Sequence, residues 1–424
     1  MKNLIILLIG LFLLVSPVYS TAFQTLSSGT TNPLHKVVFT DNYTGYVVGS
    51  FGTILKTTNG GINWFPLSSN TTTTLNSVYF LNPTTGWVVG NNGIILKTTN
   101  AGLNWLISYS GSASFSSVYF LNALTGWAVG EYAACLKTTN GGTNWFNQLV
   151  AVGSSSSLSS VVFNNNKGFI TATDSLNLFT TTNEGSNWVG NGIRSGGISN
   201  NEISFSGNFG ITVGGEFFNP GGIKPVLFVT TNNGQSWTER TLFNRNAVLI
   251  AVRICQSNTN ICYAVGQYRS DSIFNNKGLI MSSTNGGQTW LDEAWTNNIA
   301  LYGIAVTGTD VYIVGDHGVI LKSPNPIGIR QIGTEVPDKY LLSQNYPNPF
   351  NPTTNIEFSA PKKGSVRISV FDMTGREVAT LINEVLSIGK YRVDFNASNL
   401  SSGTYFYKLT AEGYSSVKKM VLVK

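Results

Sequence analysis

Four carboxylates recur at one place in a repeating sequence. Glu131, Glu216 and Asp316 each follow a Val-Gly or Val-Gly-Gly, and Asp174 occupies the corresponding turn of the fourth repeat. Aromatic side chains accompany them: Tyr132, Phe217, Phe218, Tyr268 and Phe274, with His317 beside Asp316. Two carboxylates facing each other across a groove can hydrolyse a glycosidic bond, one as acid and the other as base or nucleophile. The same residue types on one face can hold a ligand and leave it unchanged. No nucleophile–base pair accompanies them, so no catalytic residue is assigned. The turns are read as a binding face for a protein or a glycan, against the plainer reading that solvated turns simply accept polar and aromatic residues.

Metal and cofactor chemistry find no support. The two histidines, His35 and His317, stand far apart, and none of the three cysteines lies at a metal-ligand spacing from them. No cofactor motif is present. Cys255 and Cys262 flank six residues between two apolar runs that read as a hairpin, and an exported chain can keep a disulfide there or leave it unformed. Cys135, in a strand-like run, reads as a small buried hydrophobe.

The elements that must carry these residues are strands. Only 11% of the 424 residues are charged and 12% are aromatic, with Gly, Asn, Ser and Thr abundant. That composition suits many short strands joined by tight turns and gives an all-β class. The formal charge of +6 is unevenly spread. Residues 21–324 hold 13 Lys/Arg against 12 Asp/Glu, and residues 325–424 hold 12 against 8. Without a basic stripe on the larger part, nucleic acid is excluded as a partner. The first 20 residues carry Lys2 and an apolar run from Leu4 to Val15, then small residues, which read as an export signal cleaved after Ser20 or Ala22. An uncleaved anchor is the alternative; once cleaved, the mature chain has no transmembrane segment.

Self-similarity organises the rest. One unit runs from Leu75 through Gly86-Trp87-Val88-Val89-Gly90 and Ile94–Asn100 to Trp105, and its relatives end at Trp64, Trp145, Trp188, Trp237 and Trp290. Successive intervals are 41, 40, 43, 49 and 53 residues. A seventh copy ends at Ser323-Pro324 without the tryptophan. Four short strands per unit is the spacing of a propeller blade, and a blade needs neighbours to bury its faces. The expectation is a seven-bladed β-propeller over residues 21–326. Phe23–Ser28 resembles the run after Trp64 and supplies the missing outer strand of the last blade. Two enlarged turns, Glu216–Pro225 and Gln267–Lys277, explain the longest intervals and lie on the proposed binding face.

The turn before each tryptophan follows Ser/Thr-x-Asn-x-Gly-x-x-Trp, as in Thr57–Trp64. It resembles the Asp-box of the bacterial neuraminidase repeat, with Asn at the third position. The surrounding Gly-Trp-Val-Val-Gly and Ile-Leu-Lys-Thr runs resemble the propeller repeat of the photosystem II stability and assembly factor family, over residues 22–325. The resemblance implies a structural turn on the propeller periphery and no photosynthetic role. Sialidases share the box but use an arginine cluster. Here the arginines of this region are Arg194, Arg240, Arg245, Arg253 and Arg269, all in its second half, and an Arg-Ile-Pro signature is missing.

A linker is expected over residues 327–340, then about seven short strands over residues 341–424, read as an immunoglobulin-like β-sandwich. Asn345-Tyr346-Pro347-Asn348-Pro349-Phe350, Asp372-x-x-Gly375-Arg376 and the closing Lys418–Lys424 resemble the type A C-terminal sorting domain of the type IX secretion system. The resemblance implies export through the periplasm, with that secretion machinery and a sortase as partners. The product is then secreted or attached to the outer-membrane surface.

Overall fold

The computed structural model describes residues 23–424 apart from 151–155, 174–177, 194–197, 219–221, 241, 243–245, 257, 270–276, 294–296, 309, 325–328, 334–336, 387 and 398–399. The leader, Asp174 and Phe274 therefore lie outside the described residues, as does the side chain of Phe218.

The fold is all-β, with a single three-residue 3-10 turn at Asp316–Gly318 among the described residues. Seven four-stranded antiparallel sheets follow one another. Sheet two is typical: Leu75–Phe80, Gly86–Gly90, Ile95–Thr98 and Leu106–Tyr109, paired in that order. The second strand, Gly86–Gly90, is buried at every residue, which is why it reads as a continuous apolar run. The first strands neighbour one another around the set, and Leu301–Val306 of the last sheet returns to Leu34–Phe39 of the first. This is a β-propeller. Its ends are joined where the sequence proposed: Gln24–Leu26 pairs with Ile320–Pro324, Thr25 opposite Leu321.

Each gap between sheets holds its own core. Between sheets two and three, Trp87 stacks on Phe120 at 3.5 Å, and Trp145 meets the edge of Phe120 at 5.8 Å. The next gap repeats the arrangement with Trp127, Phe163 and Trp188. The box turns hold the tryptophans in place. Thr57 donates to Asn59 and accepts from the Gly61 amide at 2.9 Å, while Asn59 accepts from the Asn63 amide. Gly61 sits at φ +79, where a Cβ would also meet the Tyr312 ring.

The lysine of the Ile-Leu-Lys-Thr run is a staple between sheets. Lys56 donates to the Ala101 carbonyl at 2.8 Å, Lys97 to Gly141 at 2.7 Å and Lys322 to Gly60 at 3.1 Å. Each ammonium also lies over an aromatic ring of its own second strand, Tyr46, Trp87 or Tyr312, at 5.3–5.5 Å.

The C-terminal domain pairs two four-stranded sheets around one apolar core. One sheet takes Ile329–Gly333, Gly389–Asn396, Thr353–Ala360 and Leu341–Leu342; the other takes Glu377–Leu386, Gly364–Phe371, Gly403–Ala411 and Tyr414–Leu422. The expected linker over 327–340 thus needs correction, because Ile329–Gly333 is a strand of this domain, Ile329 opposite Val393. Its alternation was too short to stand out beside a proline-rich boundary.

Of the two states left open for Cys255 and Cys262, the structure takes the unbridged one: no disulfide joins them. Strand register explains it. Cys262 lies opposite Ile254, and the Cys255 amide bonds Ile261, so the two side chains point to opposite faces of sheet six. They enter different cores, Cys255 toward sheet seven and Cys262 toward sheet five.

Candidate functional site

The site is built by one irregularity repeated seven times. Every first strand carries a bulge, so one residue in each escapes the ladder: His35, Asn76, Ser116, Ser159, Asn201, Ile250 and Tyr302. All seven line a cavity of about 400 Å³ at the centre of the ring. The glycine ending the Val-Val-Gly run makes room for the bulge. A Cβ on Gly90 would stand 2.2 Å from the Thr74 carbonyl oxygen, which the Asn91 amide bonds. Side chains then tie neighbouring first strands together, as when Asn76 donates to the Phe115 carbonyl at 2.8 Å and Asn201 to that of Leu249 at 2.6 Å.

The walls differ. Sheets two to four contribute only Asn and Ser, while sheet five adds Phe217 and Ile223 to its own Ser199, Asn201 and Glu202, and sheet six contributes Val248, Ile250 and Ala251, with Arg269 just past its second strand. This second wall is raised by the enlarged hairpin of sheet five, whose strands Phe209–Phe218 and Gly222–Thr230 run on beyond the others. Phe217 pairs with Ile223, and Glu216 forms an ion pair with Lys224 at 2.8 Å. Asn246 links the two insertions, accepting from the Ile223 amide and, through its carbonyl, from that of Arg269.

Charge lies across the channel. Glu202 of sheet five pairs with Lys36 of sheet one and, at 2.8 Å, with Arg253 of sheet six. Its second oxygen accepts the Val252 amide at 3.0 Å. The Glu202 side chain is only 8% exposed. Burial would raise its pKa, but Arg253 and Lys36 outweigh that and hold the carboxyl below the usual range. Burial lowers the Lys36 ammonium, with Glu202 opposing and Arg253 reinforcing. Two cations on one carboxylate leave the cluster with a net positive charge.

Sheets seven and one add a second network. Tyr302 donates to Asp316 at 2.9 Å, and the His35 ring lies 5.5 Å from Tyr302 and 2.9 Å from the Ser50 hydroxyl. Burial lowers the His35 pKa while Asp316 pulls it up.

The residues singled out from sequence fall into three groups. Phe217 lines the cavity, Glu216 braces the same hairpin, and Asp316 reaches the wall through Tyr302. Glu131, Tyr132 and His317 occupy exposed turns and are not among the lining residues; Tyr132 and His317 sit at φ +55 and +56, and Tyr132 is 72% exposed. Tyr268 faces away, its hydroxyl 2.5 Å from Asp292 of the outer strand. Sequence reasoning passed over Lys36, Glu202, Arg253 and Arg269. For Lys36 and Glu202 the available signal was a charged residue at a first-strand position that carries Ser77, Ser117 and Ser160 in sheets two to four. Phe51 was also missed: it stands at the same turn position as Tyr132, with φ +56. Among the described residues no three His, Cys, Asp or Glu side chains group to hold a metal ion.

A β-propeller with a cavity of mixed polar and apolar lining at its axis is the class these features define. Residues 16–110 and 106–194 match the family of photosynthesis system II assembly factor YCF48, and residues 344–424 match the secretion system C-terminal sorting domain. The chain thus joins a propeller of the assembly-factor repeat type to a type IX secretion sorting domain, so it is exported, either secreted or attached to the cell surface. No helix among the described residues is long and apolar enough to cross a membrane.

Solved structures agree on the fold. YCF48 bound to D1 peptide is 20% identical, with a TM-score of 0.56, covering 72% of this chain and 97% of that one. YCF48 from Cyanidioschyzon merolae is 19% identical, TM-score 0.56, over 71% and 98%. The GH74 enzyme of Niastella koreensis is 13% identical, TM-score 0.57, over 95% and 74%. No curated protein matches the sequence.

Proposed function

We propose that the seven sheets are the blades of one closed propeller over residues 21–326 and that it is a binding or scaffold module with no chemistry of its own. The C-terminal pair of sheets, from Ile329 onward, is an immunoglobulin-like sandwich that the type IX machinery and a sortase engage. The propeller takes its ligand, a segment of protein or a glycan, at the mouth of the central cavity. One observation carries this reading: a cavity of about 400 Å³ with one Ser/Asn wall, one apolar wall and a charged cluster spanning the channel. Pockets that combine apolar surface with a few fixed polar groups are the usual ligand sites. That one structural neighbour is a YCF48 with a D1 peptide bound supports a polypeptide as the ligand class.

A hydrolase is the second reading, favoured by the fold shared with the GH74 enzyme. It needs two carboxylates across a groove. Among the described residues Glu202 is the one carboxylate lining the cavity, and it is held by two cations. A ligand pull-down and glycan array, run beside a polysaccharide hydrolysis screen on the purified protein, separate the readings. Phe217→Ala and Arg269→Ala should abolish capture. Unchanged capture by both variants removes the cavity mouth as the site, and hydrolysis lost in Glu202→Gln establishes the enzyme.

A further inference from the structure

We propose that the surface of the sorting domain read by the export apparatus is centred on the Tyr346 ring, flanked by the outward side of the last strand. The proposal rests on the sorting-domain match and goes beyond it by separating residues that build the domain from one that faces outward.

The segment from Asn345 to Pro352 covers the edge of Tyr414–Leu422, the last strand of its sheet. Phe350 exchanges backbone hydrogen bonds with Val421 and Val423, both 2.9 Å, and its ring is buried at 2% exposure. Asn348 accepts from the Val421 amide at 2.9 Å. Asn345 is buried, donating to Thr354 and to the Pro347 carbonyl while its amide reaches Tyr407. Pro352 accepts from the Ala397 amide. An exposed strand edge invites pairing with other chains, and this segment covers its end from Lys419 to Val423.

Tyr346 is different. Its backbone is fixed by two hydrogen bonds with Asn355, yet its ring is 77% exposed. It stands between Gln344 and Asn348, whose side chains both bond the Lys419 carbonyl, which places it beside the last strand, where Val417 and, just past the strand's end, Val423 face solvent. An exposed aromatic on a fixed backbone, beside aliphatic residues and a lysine, suits a protein partner offering an apolar pocket with an acidic rim. The occupant is a protein of the export apparatus, because a sorting domain must be read from its surface.

The test uses the full chain in a bacterium that has type IX secretion, comparing the periplasmic share with the surface and medium shares. Tyr346→Ala should lower the exported share about ten-fold, with the melting temperature of the purified chain unchanged. Tyr346→Phe should restore export. Lys419→Glu should also reduce export, and it decides the matter if Tyr346→Ala melts early. Normal export of Tyr346→Ala, or of Lys419→Glu where the tyrosine variant is unstable, overturns the proposal. Normal export after removal of residues 344–424 would instead overturn the sorting-domain reading itself.

Discussion

Replacing Glu202 by alanine removes the carboxylate that neutralises Lys36 and Arg253 across the channel. Two like charges then remain with most of their side chains shielded from water, and the Val252 amide loses its acceptor. Breaking a buried ion pair by deleting one partner costs about 3–5 kcal/mol. For a domain of this size about 1 kcal/mol shifts the midpoint by roughly 2 °C, so Glu202→Ala should melt roughly 6–10 °C early. Lys36→Met should cost much less, because Arg253 still pairs with the carboxylate.

The nine tryptophans all precede residue 296, so fluorescence reports the propeller alone. The acid limb carries a second signature. Glu202 has a folded pKa below its unfolded value, so its contribution is complete above the unfolded carboxyl value of about 4.3 and is lost as pH falls through the folded one. The gap between wild type and Glu202→Ala should therefore close in strong acid. A Glu202→Ala protein within about 1 kcal/mol of wild type at pH 7, or Lys36→Met the more damaging change, would refute the reasoning.

Other substitutions test other parts. Lys97→Met removes the staple to Gly141 and the ammonium above Trp87 and should cost about 1–3 kcal/mol in denaturant melts. Gly90→Ala drives a methyl into the Thr74 carbonyl and should cost about 1–3 kcal/mol or displace the bulge; a melt matching wild type would show that the bulge yields freely. Phe350→Ala should open the core of the sorting domain, at about 3–5 kcal/mol, and bring on protease cleavage within residues 341–424 while tryptophan fluorescence is unchanged.

The repeats made most of this fold legible. Box residues such as Thr57, Asn59 and Gly61 and the sheet-closing run after Phe23 were readable because each feature is local in the chain and recurs. The site was less so. A bulge is a relation between two strands, so nothing local to His35 or Tyr302 marks it. The Lys36–Glu202 pair joins residues 166 positions apart, which only ring closure brings together. Tyr268 looked like a partner of Phe217, but its hydroxyl found Asp292 on the outer strand. Whether Cys255 and Cys262 bridge stayed open in the sequence because side-chain parity depends on where the turn places the register, and the turn after Cys255 set it against a bridge.

Cavity, charge cluster and binding mouth all require that the chain's first described strand closes the ring. Amide hydrogen exchange on Gln24–Leu26 tests this directly. A closed ring predicts protection matching that of Ile320–Lys322, its partners in the ladder. Exchange at the rate of an open peptide, with Ile320–Lys322 still protected, would contradict it.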